Sequence, residues 1–205
     1  MKNLIYSTLA LLFAASLLSW QWSKNQHPTI DKKEVIECLN METQQAYQLE
    51  ASTPAFAAMH PNPLVVNPEN LLGKLIAFEA ADGKQAYAYF IPAKKKTNKY
   101  LIVIQEWWGL NDNVKMESDK YYTDLGNVNV IAVDMYDGKV AATPDSAMKL
   151  MRGANMERMT AIMQGAIKYA GSKAAIYSVG WCFGGMWSLQ TAILAGPQAK
   201  GSVMY

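Results

Sequence analysis

The sequence has few of the residues that build metal and redox sites. Its 205 residues include two cysteines, Cys38 and Cys182, and two histidines, His27 and His60, both far from Cys182 in the chain. Two cysteines cannot supply a zinc site of the paired C-x-x-C kind. The lack of even one C-x-x-C pair makes a thiol-redox role the least favoured interpretation. We therefore expect no metal and no cofactor.

The sequence also has no large excess of positive or negative charge. The formal net charge is +2 and only 18% of the residues are charged, which predicts no special affinity for nucleic acid. The one lysine run, at 94–96, is interpreted as a solvated loop. With 51% hydrophobic residues, the chain has the composition of a folded globular protein, and its length fits one domain plus an extension.

The first 22 residues are typical of a signal peptide or an N-terminal anchor. A short positive start precedes an apolar stretch, Leu4 to Leu18, of the length of a signal-peptide core. Small residues follow in Ser16 to Trp22, without a clean A-x-A site, and no cysteine marks a lipoprotein anchor. We expect an exported protein, periplasmic or secreted after cleavage. An uncleaved segment would anchor it to the membrane, and this is the one membrane contact expected.

Residues 23–70 form a poorly specified extension. Lys32 to Leu49 has apolar residues at helical spacing, whereas Ser52 to Pro68 contains four prolines and is predicted to be loop. His60 lies in that loop, where a packing role is expected rather than a catalytic one.

Regular patterning begins near Leu71 and continues to Tyr205. Apolar and polar residues alternate on both sides of Asp82-Gly83, and this pattern predicts a β-hairpin. The predicted elements are hairpin strands Leu72 to Glu79 and Gln85 to Ile91, buried strands Tyr100 to Gln105, Asn129 to Val133 and Ala174 to Val179, a strand beginning at Gly201, and helices Val114 to Leu125, Asp145 to Tyr169 with a break near Gly153, and Met186 to Leu194. This alternation predicts an α/β fold with a mainly parallel sheet and helices on both faces.

The segment Ser178 to Gly185 (SVGWCFGG) carries the main chemical signal. A strand, a sharp turn and a helix, with small residues around one nucleophile, make a nucleophile elbow. Cys182 occupies the nucleophile position, and Gly180 and Gly184 stand two residues on either side, where side chains would collide with backbone. The helix that follows would favour a thiolate and direct the Phe183 N–H toward an oxyanion. The alternative is a buried cysteine in a glycine-rich turn.

Three segments occur in an order that resembles the dienelactone hydrolase family, a cysteine-nucleophile branch of the α/β-hydrolases. They are Gln105 to Leu110 (QEWWGL), Val133 to Tyr136 (VDMY) and Gly180 to Gly185 (GWCFGG). The resemblance covers roughly Leu71 to Tyr205. It implies hydrolysis of small esters or lactones.

The resemblance also implies a role for each matching residue. Cys182 would be the nucleophile, Glu106 would contact and help to activate it, and Trp107 would supply a second oxyanion N–H beside that of Phe183. A carboxylate beside a thiol raises the thiol pKa unless it moves or takes up a proton, so Glu106 could gate thiolate formation. The residues expected to line the substrate pocket are Trp108, Tyr136 and Trp181.

Two partners of the nucleophile are missing from the sequence. No histidine and no acidic residue follows Cys182, although α/β-hydrolases place both there. We therefore expect a C-terminally incomplete domain, lacking its last strands and having little or no activity. The family's substrate-binding arginines are not matched either: Thr143-Pro144 occupies one of those positions, and Arg152 and Arg158 lie near it without matching. Dienelactone itself is not the expected substrate.

A second function class remains open at this point. The chain could be a non-catalytic exported protein that binds a ligand or partner through the same pocket. A disulfide between Cys38 and Cys182 is not expected under the hydrolase interpretation, because it would block the nucleophile.

Overall fold

The computed structural model describes Leu49, residues 53–55 and residues 68–205. In the continuous part, strands and helices alternate along the chain. The strands are β1 Lys74–Glu79, β2 Gln85–Ile91, β3 Lys99–Ile104, β4 Asn129–Val133, β5 Ala175–Gly180 and β6 Ala199–Met204. The helices are α1 Asp112–Leu125, α2 Pro144–Arg152, α3 Met156–Ala170 and α4 Phe183–Ala195, and a 3-10 turn covers Gly196–Gln198.

The strands form one sheet in the order β1-β2-β4-β3-β5-β6. The β1–β2 hairpin is antiparallel, as its Asp82-Gly83 turn predicted, and β2 pairs antiparallel with β4. The pairs β4–β3, β3–β5 and β5–β6 are all parallel. The prediction of a mainly parallel α/β sheet is confirmed, and the hairpin adds an antiparallel edge to it.

Alternation along the central strands produces two apolar cores, one on each face of the sheet. On β3, Ile102 and Ile104 belong to one cluster and Leu101 and Val103 to the other. The first cluster includes residues of α2, α3 and α4, and the second includes Val114 of α1. Because both faces are covered by helices, the central strands are apolar over most of their length, which is why they were recognisable as continuous runs.

Capping side chains set the helix starts. The Asn111 side chain accepts a hydrogen bond from the Val114 N–H at 3.1 Å and so caps α1. Thr143 forms a capping box with Ser146 at the start of α2. The predicted break near Gly153 is confirmed, because α2 ends there and Asn155 caps a new helix, α3.

A few boundaries differ from the predictions. Helix α4 begins at Phe183 rather than Met186, and β6 begins at Ala199 rather than Gly201. Pro54 and Ala55 are helical where the prolines predicted loop, because proline is tolerated in the first turn of a helix. The lysine run at 94–96 is an exposed loop, as predicted.

Other predictions fall outside the described residues. These are the N-terminal targeting segment, His27, Cys38, His60 and most of the extension. Within the part that the structure describes, no helix has the length and apolarity needed to cross a bilayer.

Candidate active site

Parallel pairing brings the predicted site residues to one edge of the sheet. Ile104 at the end of β3 pairs with Gly180 at the end of β5, and Val133 of β4 pairs with Ile104 on the other side. Glu106 and Cys182 therefore each lie two residues beyond paired positions, at the carboxyl edge of adjacent strands. This edge is where open α/β sheets bind their ligands.

Cys182 occupies a sharp turn between β5 and α4. Its backbone has φ 53° and ψ −116°, a conformation that non-glycine residues rarely adopt. The Cys182 N–H donates to the Tyr205 carbonyl at 2.9 Å, and the Gly185 N–H donates to the Cys182 carbonyl at 2.9 Å as the helix begins. Cys182 is half-buried. Strain of this kind persists only where surrounding structure enforces it, and it is concentrated at functional sites.

The two glycines that flank Cys182 are required by close backbone contacts. A Cβ atom on Gly180 would overlap the Gly184 carbonyl group. A Cβ atom on Gly184 would lie 2.5 Å from the carbonyl oxygens of Ile104, the last residue of β3, and of Gln105, which follows it. The helix can therefore approach the sheet, and Cys182 can occupy its turn, only if both positions lack side chains.

Helix α4 places its positive end at the site. Cys182 is the residue immediately before the helix and Phe183 is its first residue. In the first turn the Gly184 N–H donates to the Trp181 carbonyl and the Gly185 N–H donates to the Cys182 carbonyl. The helix dipole favours negative charge at this end. The turn can therefore stabilise a thiolate on Cys182, and the Phe183 N–H can serve a developing oxyanion.

Aromatic side chains surround this turn in two groups. The Phe183 ring packs on the Tyr136 ring, with centroids 5.5 Å apart, and on the Trp187 ring at 6.5 Å. Trp107 and Trp108 are almost wholly buried and contact each other edge to face at 5.3 Å. These rings all belong to the same apolar cluster as Cys182.

Trp181 lies in a different environment. Its ring stacks with the Tyr121 ring and with the Tyr205 ring, each with centroids 6.1 Å apart, and it packs against the core on the other face of the sheet. A place for Trp181 in the substrate pocket therefore gains no support from its packing, and the role stays a prediction.

The loop after β4 is held by two carboxylates. Asp134 accepts hydrogen bonds from the N–H groups of Tyr136 at 2.9 Å and Gly138 at 2.6 Å. Burial raises the pKa of Asp134 above its ordinary value, and these two N–H groups counteract that rise. The second carboxylate, Asp137, sits in a left-handed conformation with φ 51° and accepts two hydrogen bonds from Arg158.

Arg158 has a structural role that its position in the sequence does not reveal. Its guanidinium also binds Asp82 in the hairpin turn at 2.9 and 3.1 Å and the Gln85 carbonyl at 2.6 Å. These partners lie 76, 73 and 21 residues away in sequence, so no local pattern could indicate them. Because its donors are engaged in this clamp, Arg158 does not serve as a substrate-binding arginine in this structure.

A cavity of about 250 Å³ opens beside the clamp. It lies between the loop at 135–139 and the junction of α2 and α3. Tyr136 lines this cavity and also packs on Phe183, the residue after Cys182. The lining does not include Cys182, Glu106 or the tryptophans. Among the described residues there is no cluster of three or more potential metal ligands from His, Cys, Asp and Glu.

The same residues match a known family. The model of the dienelactone hydrolase family matches residues 85–205, which is more than half of the chain and includes β2 through β6 and the Cys182 turn. The chain belongs to the dienelactone hydrolase family. This family assignment supports a hydrolase function.

Two curated proteins are also similar to this family member. "Protein usf" of Aquifex pyrophilus is 32% identical over 132 residues, which are 59% of this chain and 55% of that protein. A "Putative carboxymethylenebutenolidase" of Aquifex aeolicus (strain VF5) is 31% identical over 125 residues, which are 56% of this chain and 52% of that protein. The chain thus spans about half the length of the curated relatives it matches.

A solved structure shares the fold. A dienelactone hydrolase-like promiscuous phosphotriesterase from metagenomic libraries is similar with a TM-score of 0.50 and 23% identity, over 65% of this chain and 59% of that one. At that identity the similarity concerns the fold alone, and it agrees with the α/β-hydrolase architecture described above.

Proposed function

We propose that this dienelactone hydrolase family member attacks small esters or lactones and forms a thioester on Cys182, which is the first half of their hydrolysis. The observation that carries the proposal is the backbone of Cys182. A half-buried thiol in a left-handed turn, at the N-terminus of α4 and on the carboxyl edge of the sheet, has the position that a nucleophile needs. The alternative, that Cys182 is only a buried structural residue in a glycine-rich turn, does not explain why its φ is 53°.

The proposed chemical step uses groups that lie at this edge of the sheet. The Cys182 thiolate attacks the carbonyl carbon, a C–S bond forms, and the carbonyl π electrons move to oxygen. The N–H groups of Trp107 and Phe183 are proposed to stabilise that oxyanion, and each such donor contributes roughly 2.7–4 kcal/mol. Collapse restores the carbonyl and expels the alcohol oxygen with its electron pair.

Glu106 is proposed to control when the thiolate forms. It is half-buried and follows the end of β3 by two residues, beside the strand that leads to Cys182. An ionised Glu106 disfavours a second negative charge on sulfur, and a Glu106 that has taken up the thiol proton does not. Trp108, Tyr136 and Trp181 remain the proposed lining of the substrate pocket.

Release of the acyl group needs further residues. Water must be activated by a base, and α/β-hydrolases carry that histidine and its acidic partner after the nucleophile. No His, Asp or Glu occurs between Cys182 and Tyr205 in this sequence. We therefore propose that these 205 residues form the thioester but do not turn it over.

The cellular setting is proposed from the N-terminal sequence. Export to the periplasm or the medium follows from the apolar stretch Leu4 to Leu18, with membrane attachment only if that segment stays uncleaved. The proposed partner is the small ester or lactone itself, with no role for nucleic acid and no cofactor.

The test compares labelling at the two cysteines. With iodoacetamide, Cys182 is expected to react much faster than Cys38, and with p-nitrophenyl acetate the chain is expected to release about one equivalent of p-nitrophenolate in a burst. Cys182→Ala should abolish the burst, and Cys38→Ala is the matched control that should keep it. Slow, equal labelling without a burst would favour the non-catalytic exported binding protein instead.

A further inference from the structure

The Tyr136 hydroxyl is a buried polar group without an acceptor. Tyr136 is 6% exposed, and its hydroxyl oxygen makes no hydrogen bond within the part of the chain that the structure describes. A buried hydroxyl left unpaired costs about 1–3 kcal/mol, so its retention calls for an explanation.

The backbone around Tyr136 is tightly held. Its N–H donates to Asp134 and its carbonyl accepts from the Lys139 N–H at 3.3 Å. The preceding Met135 N–H donates to the buried Gln105 side chain at 3.3 Å, and the following residue is tied to the Arg158 clamp. These contacts fix the Tyr136 backbone, and the ring itself packs on the Phe183 ring, with centroids 5.5 Å apart.

Tyr136 faces the nucleophile turn. Its ring packs on Phe183, the residue that follows Cys182. Burial raises the pKa of Tyr136 well above its ordinary range, and negative charge on Cys182 raises it further. The hydroxyl consequently stays protonated, as a neutral donor within electrostatic reach of the sulfur.

We infer that the Tyr136 hydroxyl donates a hydrogen bond to the carbonyl oxygen of the acyl group as Cys182 attacks it. This rests on the proposed function. Tyr136 becomes a third donor beside the Trp107 and Phe183 N–H groups, and no proton is transferred from it. The carbonyl oxygen gains the π electron pair, the hydrogen bond strengthens as that charge grows, and it weakens again when the leaving group departs.

Two reactions of the same sulfur test the inference. The 205-residue chain and its Tyr136→Phe variant are mixed with p-nitrophenyl acetate, and the single-turnover burst rate is measured. The same proteins are mixed with dithiodipyridine, a disulfide that reacts with the thiolate but has no carbonyl oxygen. Loss of the donor is expected to slow acetylation by about 10²-fold. Disulfide exchange should not change.

A matched control and the contrary outcomes make the result decisive. Tyr100→Phe removes a half-buried hydroxyl at the start of β3, away from the carboxyl edge, and should leave both rates unchanged. Equal acetylation by Tyr136→Phe and wild type would overturn the inference, and so would equal slowing of both reactions. Absence of any burst in the wild type would instead contradict the proposed function.

Discussion

A Cβ atom placed on Gly180 would overlap the carbonyl oxygen of Gly184. These two residues flank Cys182 at equal distance, one ending β5 and the other in the first turn of α4. Their contact closes the turn so tightly that Cys182 is forced into a left-handed conformation. The shape of the proposed active site therefore depends on having glycine, which has no side chain, at both positions.

Gly180→Ala is the first prediction from this contact. Overpacking against rigid backbone is expected to lower the free energy of unfolding by about 1–3 kcal/mol and to shift Cys182. Urea unfolding and the dithiodipyridine rate at Cys182 measure the two effects. Gly201→Ala is the control, because Gly201 is exposed on the edge strand and its added Cβ would meet only the Tyr177 ring, at 3.3 and 3.8 Å. A Gly180→Ala protein with wild-type stability and thiol reactivity would refute the steric account.

Removing the hydroxyl of each of two buried tyrosines should have different effects on the free energy of unfolding. The Tyr89 hydroxyl donates to Asp119 at 2.6 Å and accepts from the Gly73 N–H at 2.6 Å, so Tyr89→Phe should lower the free energy of unfolding by about 1–3 kcal/mol. The Tyr136 hydroxyl lacks such partners among the described residues, so Tyr136→Phe should be neutral or stabilising. Chemical denaturation of both variants checks this. A loss at position 136 as large as that at position 89 would mean that Tyr136 has a structural partner.

The sequence predicted the elements much better than their long-range contacts. Continuous apolar runs marked β3, β4 and β5, because strands covered on both faces have no polar side. The start of α4 was placed three residues late, since glycines disfavour helix and nothing local shows that Gly184 must lie against Ile104. Tertiary packing overrode propensity at that point.

Within the site, strand ends could be predicted and side-chain environments could not. The resemblance implied that Glu106 contacts Cys182, and in the parallel register each lies two residues beyond the ends of the paired strands β3 and β5. The stacking of Trp181 with Tyr121 and Tyr205 depends on which face each side chain takes, and the Arg158 clamp joins residues far apart in sequence. Such contacts are set by the complete sheet.

The Arg158 clamp predicts a dependence of stability on acid pH. Desolvation alone would raise the pKa of Asp82, but hydrogen bonds from the Lys84 N–H and Arg158 hold that pKa below its ordinary value of 3.8. A depressed folded-state pKa stabilises the fold above the unfolded-state value, and that stabilisation is lost as pH falls through the folded-state pKa. The midpoint of thermal unfolding of the wild type should therefore fall as the pH is lowered through 3.8 and below, where the Asp82 carboxylate takes up a proton.

Arg158→Met tests the origin of that shift. The variant should melt at lower temperature than wild type at neutral pH and lose less on acidification, because the carboxylates have lost their cation. Lys168→Met is the control: Lys168 pairs with Glu79 at 3.1 Å, but both side chains are about 70% exposed, and such a pair contributes little. Parallel acid curves for Arg158→Met and wild type would exclude the clamp as the cause.

Formation of an acyl-cysteine is the central claim, and peptide mass spectrometry tests it most directly. The chain is exposed briefly to p-nitrophenyl acetate, quenched in acid, digested and searched for acetyl groups, with a hydroxylamine-treated sample beside it. We predict one dominant acetyl group on the peptide containing Cys182, removed by hydroxylamine as a thioester is. Acetyl groups found only on exposed lysines, with Cys182 unmodified, would contradict the account.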